Sequence, residues 1–92
     1  MSHGAGSMDR TADGETQSVN FVLRHRHAQI PCRISFGALR RIARVAIERA
    51  EIAEQIFDRH RQDIEMLALA AYAAGDFAGG IVAIDEDNLD LD

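Results

Sequence analysis

The chain has no lysine and no tryptophan, one cysteine, one proline, one tyrosine and four phenylalanines. The single thiol, Cys32, excludes an internal disulfide framework and a four-cysteine zinc site. It fits a reducing cytoplasm. Scarce aromatics leave little for stacking on nucleic-acid bases. No apolar run approaches the roughly 18–20 residues of a membrane helix, and the N-terminus lacks the charged-then-apolar pattern of a secretion signal. A cytoplasmic protein without a membrane segment is therefore expected. There is no internal repeat, and 92 residues allow one domain at most. A chain this short buries only roughly 60–65% of the surface its unfolded form exposes, so its stability margin is thin.

What is present is unevenly charged. The net charge is −5, with every base an arginine. Residues 1–17 carry −2, residues 18–61 carry +5, and residues 62–92 carry −8 with no base at all. Arginine-only usage has a neutral explanation in a GC-rich genome. The alternative is selection for forked guanidinium contacts to phosphate or carboxylate.

Residues 1–17 are rich in Ser, Gly, Thr and acids and are expected to be disordered. The opening Met1-Ser2-His3-Gly4-Ala5-Gly6-Ser7 reads as native or as a cloning remnant, with Met8 then the start. Residues 18–24 alternate, with Val19, Phe21 and Leu23 on one face. Residues 29–35 alternate again, with Ile30, Cys32 and Ile34 inward and Pro31, Arg33 and Ser35 outward. Two short alternating runs joined by His25 to Ala28 predict an antiparallel hairpin. Pro31 has no N–H for a ladder, so its strand is expected at an edge or with that position facing outward.

Ser35 suits a helix N-cap. Helical periodicity then runs without Pro to Ala74, and Gly75 suits a left-handed stop. One helix from Phe36 to Ala74 would be about 58 Å long, too long for a compact domain of this size. A break is therefore expected near Arg44 to Ile47, where β-branched residues weaken the helix. The competitor is an unbroken helix in an extended dimer, because Leu39, Ala43, Ala46, Ala50, Ala53, Phe57, His60, Ile64, Leu67 and Ala71 recur at alternating four-three spacing. Gly79-Gly80 predicts a turn, and Ile81 to Ile84 a third strand. The expected fold is α+β: a two-layer sandwich in which a small antiparallel sheet (strand-strand-helix-helix-strand) carries its helices on one face. The domain is expected over residues 18–85, with an acidic tail over 86–92.

The run Ile30-Pro31-Cys32-Arg33-Ile34-Ser35 leading into Ala38-Leu39, then Phe57, His60, Arg61 and Ile64 on a helix, then Tyr72 and a late strand, resembles the bacterial domain-of-unknown-function family numbered 1488. The resemblance covers roughly residues 18–85. It implies a hairpin, a short helix, a longer helix with a Phe-x-x-His/Asn-Arg-x-x-Ile pattern, and a terminal strand. It implies no activity. The chain departs from the family in showing no clear break, such as Phe-Gly, after the first helix.

The residues that invite chemistry are few. At about 100° per residue, His60 falls in the apolar stripe of Ala53, Ile56, Phe57, Ile64, Leu67 and Ala71, with Arg59 and Arg61 on its flanks. A buried imidazole needs a hydrogen-bond partner, for which Asp63 or a strand carbonyl is in reach. Its other reading is a general base or metal ligand. His60, Arg61, Asp63 and Arg33 form the candidate polar cluster, structural or functional. His25 and His27 share a spacing that binds metal, but no further ligand stands at a telling distance, and a solvated turn is expected. Neither a cofactor nor a catalytic residue is indicated: Cys32 reads as a buried strand residue, and Gly75 to Gly80 has no lysine and precedes no helix, unlike a phosphate-binding loop. Arg24, Arg26, Arg33, Arg40, Arg41, Arg44, Arg59 and Arg61 could form a basic face for nucleic acid, against which stand the acidic pI of about 5.2 and the missing aromatics. The favoured expectation is a non-enzymatic module that dimerises or docks on a partner protein through a sheet face or edge. Nucleic-acid binding comes second, and a metal or enzyme site at His60 third.

Overall fold

The computed structural model describes residues 10–75 and 78–86. Four strands and three helices follow in order: β1 (Arg10–Asp13), β2 (Ser18–His25), β3 (Ala28–Ser35), α1 (Phe36–Ala43), α2 (Ala50–Arg59), α3 (Arg61–Ala73) and β4 (Val82–Ile84), the last entered through a 3₁₀ turn at Ala78–Gly80. The sheet order is β1-β2-β3-β4. The helices lie on one side of the sheet, giving the expected two-layer α+β sandwich.

Alternation builds the sheet. Val19, Phe21 and Leu23 of β2 face Ile34, Cys32 and Ile30 of β3 in antiparallel register, and all six are buried. Their neighbours Asn20, Arg24, Gln29 and Arg33 are exposed on the opposite face. The helices close the core with Leu39, Ala53, Phe57, Ile64 and Ala68, each 0% exposed. Phe57 meets Phe21 ring to ring at 4.9 Å, tilted by 53°. Burying a side chain of that size contributes about 2–3 kcal/mol.

The sheet differs from the three-stranded antiparallel one expected. β4 lies parallel to β3, Cys32 opposite Val82 and Ile34 opposite Ile84. Three helices intervene, and such a crossover lets the chain re-enter the sheet in the same direction. Pro31 sits one residue before this ladder begins. With no N–H to give, it marks where β3 stops being an interior strand.

The segment 1–17, expected to be disordered, contains β1. Arg10–Asp13 pairs antiparallel with Ser18–Phe21. Composition could not reveal it, because Ala12 is its one apolar residue and long-range contacts hold it. Residues 1–9 lie outside the described residues, as do residues 87–92 of the acidic tail.

The helical stretch breaks twice. The first break covers residues 44–49, where one was expected. Ser35 caps α1, its Oγ accepting from the Ala38 N–H at 3.0 Å, and Arg44 ends it in the left-handed conformation at φ 60°. The second break, at His60, was not expected. His60 takes φ −109° and ψ 20° and separates α2 from α3. The ladder survives there, since His60 N–H donates to Ile56 O and Ile64 N–H to His60 O, both at 3.0 Å. The bend lets α2 pack on β1 while α3 crosses to β2 and β4. Gly75 stops α3 as expected, at φ 80°.

Candidate functional site

The kink changes the standing of His60. The helical wheel assumed one straight helix and put the ring at the centre of the buried stripe. At the junction of two helices the residue is half-buried. Among the described residues its ring makes no hydrogen bond. Asp63, its expected partner, is exposed in the first turn of α3, where a carboxylate suits the positive end of the helix. Arg61 lies 5.3 Å over the Phe57 ring, and its Nε donates to Glu65 Oε2 at 3.0 Å. The first contact fastens the start of α3 to the core, and the second is an i,i+4 pair within α3. Arg33 is exposed on the other face of the sheet, in a row with Thr11, Asn20 and Ala83. The structure therefore brings His60, Arg61 and Asp63 to one bend and leaves Arg33 across the sheet from them.

A different ionic group joins β1 to α2. Arg10 Nε and Nη2 donate to the two oxygens of Asp58, at 2.9 and 2.7 Å, and Nη1 lies 3.1 Å from Glu54 Oε1. Glu54 also accepts the Ala12 N–H at 3.0 Å. The Arg10 hydrogen bonds hold the Asp58 carboxyl below the usual carboxylate range against the opposing effect of burial, and the charges of Arg10 and Arg61 add to them. Sequence reasoning missed this group. Its signal was there: Glu54 and Asp58 stand four apart on one helix face, and two stacked carboxylates call for a cation.

The remaining candidates fall into place singly. His25 closes β2 opposite Ala28, and His27 is exposed in the two-residue turn beside Arg26, which takes φ 59°. Among the described residues no three His, Cys, Asp or Glu side chains are grouped to hold a metal ion. Cys32 is buried, and burial pushes its thiol up to about 11. Its Sγ donates to Ile30 O at 3.3 Å. A thiol so protonated is a poor nucleophile. Among the described residues, depressions mark the uncovered side of the sheet. One, of about 280 Å³, is lined by Thr16, Ser18, Arg33, Ser35 and Asp85. Another, of about 230 Å³, is lined by Thr11, Asn20, Val22, Pro31 and Ile81.

Among the described residues the most exposed large apolar side chain, Met66, lies on α3. Its inner side supplies Ile64 and Ala68, both 0% exposed. From Met66 to Ala73 the helix has no charged side chain. Its outer side therefore presents Met66, 66% exposed, with half-buried Leu69 and exposed Ala70 and Ala73, at helical spacing. A helix apolar on all sides is normally covered on all sides. Among the described residues nothing covers this one outside. The inner stripe through Ile64, Leu67 and Ala71 was expected from the sequence; the apolar outer side was not.

Comparison with known proteins finds the fold and no chemistry. The model of a family described as "Protein of unknown function (DUF1488)" matches residues 7–83. No curated protein matches the chain. The crystal structure of a protein of unknown function from the DUF1488 family of Shewanella loihica PV-4 is similar, with 25% identity and a TM-score of 0.72 over 82% of this chain and 84% of that one.

Proposed function

The chain belongs to the DUF1488 family, whose description assigns no activity, and from that starting point we propose that it is a protein-interaction module working through the outer side of α3. One observation carries this reading: a solvent-facing apolar stripe led by Met66, on a helix whose other side is already in the core. Exposed Met beside small residues makes an adaptable contact surface. A second, weaker support is the sheet face opposite the helices, where Val22, Pro31 and Ile81 edge a shallow depression. No described helix is long and apolar enough to cross a membrane. The one thiol, unbridged and buried, fits a bacterial cytoplasm.

Affinity purification from source cells tests the proposal, with the intact chain set against Met66→Glu. Met66 is exposed enough for the substitution to leave the fold intact. The expected result is a protein, a second copy of the chain included, that the intact chain holds and the variant releases. Identical associations for both, with both folded, would refute it.

Nucleic-acid binding has one supporting observation, the exposed Arg24 and Arg33 on the open sheet face. Against it, Phe21 and Phe57 are spent on each other in the core. Binding absent even at low salt, where phosphate contacts are strongest, removes this reading.

A further inference from the structure

Resting on the interaction reading above, we infer that the partner of the α3 stripe is a second copy of this chain, with the two α3 helices antiparallel about a two-fold axis.

The argument begins with spacing. A two-fold contact is isologous: if one residue touches another, the second touches the first. The outer side of α3 carries exposed Gln62, Asp63, Met66, Ala70 and Ala73, with half-buried Leu69 at its border with the core, and along it Gln62, Met66, Leu69 and Ala73 form one row. They are symmetric about a point between Leu67 and Ala68. Reversing the helix there sets Met66 against Leu69 of the copy and Gln62 against its Ala73. The apolar residues thus meet apolar residues at the centre, and a neutral amide meets a methyl group at each end. Ala70 and Ala73 are small enough for the backbones to approach to the short end of the roughly 8–10 Å range of packed helices.

Charge gives the second argument. The last turn of α3 contains no basic residue, so the negative end of its dipole is not compensated by a side chain of that turn. Arg59, exposed at the end of α2, stands just before the stripe and makes no ion pair among the described residues. The antiparallel arrangement carries Arg59 of each copy to the other's helix end near Ala74. A parallel arrangement would set the two Arg59 side chains against each other.

The contact is one helix wide, so a weak dimer is expected, with a dissociation constant of roughly 10–100 µM. Sedimentation of the whole chain up to about 1 mM should show concentration-dependent dimers. Met66→Glu should weaken association about ten-fold or more. Arg59→Gln should weaken it about 2- to 5-fold at low salt and hardly at all at high salt.

Covalent capture tests the register. Gln62 and Ala73 are about 16 Å apart within one helix, too far for an internal disulfide. Under mild oxidation the double variant Gln62→Cys/Ala73→Cys should become a disulfide-linked dimer, while either single variant should not. Both positions are exposed or close to it, so folding is not at stake. A chain that stays monomeric throughout overturns the inference, as does equal cross-linking by the single variants. If the chain is monomeric but Met66→Glu still releases a different co-purifying protein, the second copy is excluded while the interaction reading stands. If Met66→Glu releases nothing, both fall.

Discussion

Removing the Arg10 side chain tests whether β1 is held by its charges or by its ladder. β1 has four residues and one half-buried Ala12, so its own apolar burial is small. Arg10→Ala takes away a two-pronged guanidinium contact to Asp58 and the contact to Glu54. Hydrogen bonds to charged groups are worth about 1.5–3 kcal/mol. The Asp58 side chain is 48% exposed, which screens it, so the lower part of that range applies. Glu54 and Asp58 are also left as like charges four residues apart, at about 0.2–0.5 kcal/mol. A loss of about 1–2 kcal/mol is expected in urea unfolding, with a coupling of about 1 kcal/mol in the Arg10/Asp58 double-mutant cycle. The effect should shrink in high salt. It should also depend on pH. Asp58 is held below its ordinary value, so its contribution is complete above about pH 4 and is lost as pH falls through the lowered value. The difference between the intact chain and Arg10→Ala therefore narrows toward acid. Hydrogen exchange at the Ala12 amide, which donates to Glu54, reports on the strand directly. If Arg10→Ala lies within about 0.3 kcal/mol of the intact chain and β1 amides exchange no faster, backbone pairing alone holds the strand and the reasoning fails.

Three further outcomes follow from single residues. His60→Leu should leave stability within about 0.5 kcal/mol or raise it, since the half-buried ring has no hydrogen bond to lose among the described residues and leucine adds apolar surface at the bend; a loss above about 2 kcal/mol would reveal a partner the described residues do not contain. Arg26→Gly should stabilise by about 1 kcal/mol, because φ 59° strains any residue with a Cβ, and a lowered urea midpoint would contradict this. Cys32 should resist a thiol reagent at about pH 8.5 while the chain is folded and react once it is unfolded, and prompt reaction of the native protein would show the site to be open.

The parts of the fold legible in the sequence are those written as local patterns. The alternation of Val19, Phe21 and Leu23 with Ile30, Cys32 and Ile34 specified the hairpin and its inner face. Ser35 and Gly75 marked the two ends of the helical stretch, and the weak run after Arg44 marked the first break. What escaped was set by distant partners. β1 pairs with β2 and is joined to α2 through Arg10, whose acids lie more than forty residues away, and no local pattern in the sequence links them. The bend at His60 has no proline or glycine to announce it. With it α2 lies chiefly over β1 and α3 over β4, the two sharing β2. The candidate cluster was half legible: adjacency along the chain kept His60, Arg61 and Asp63 together, but the alternation that turned Arg33 outward should have separated it from them. The outer stripe of α3 was legible and unread, because a search for the core stops once one apolar face is found.

Pro31 has a consequence for how the chain survives its own synthesis. β2 and β3 can pair as soon as they are made, but β4 follows about fifty residues later. Until then the outer edge of β3 is bare, and a bare edge in a nascent protein recruits strands from other molecules. A proline within that edge interrupts any continuous foreign ladder. What remains open is the three-residue stretch that β4 later covers. The same residue that ends the native ladder thus guards the half-made sheet against aggregation.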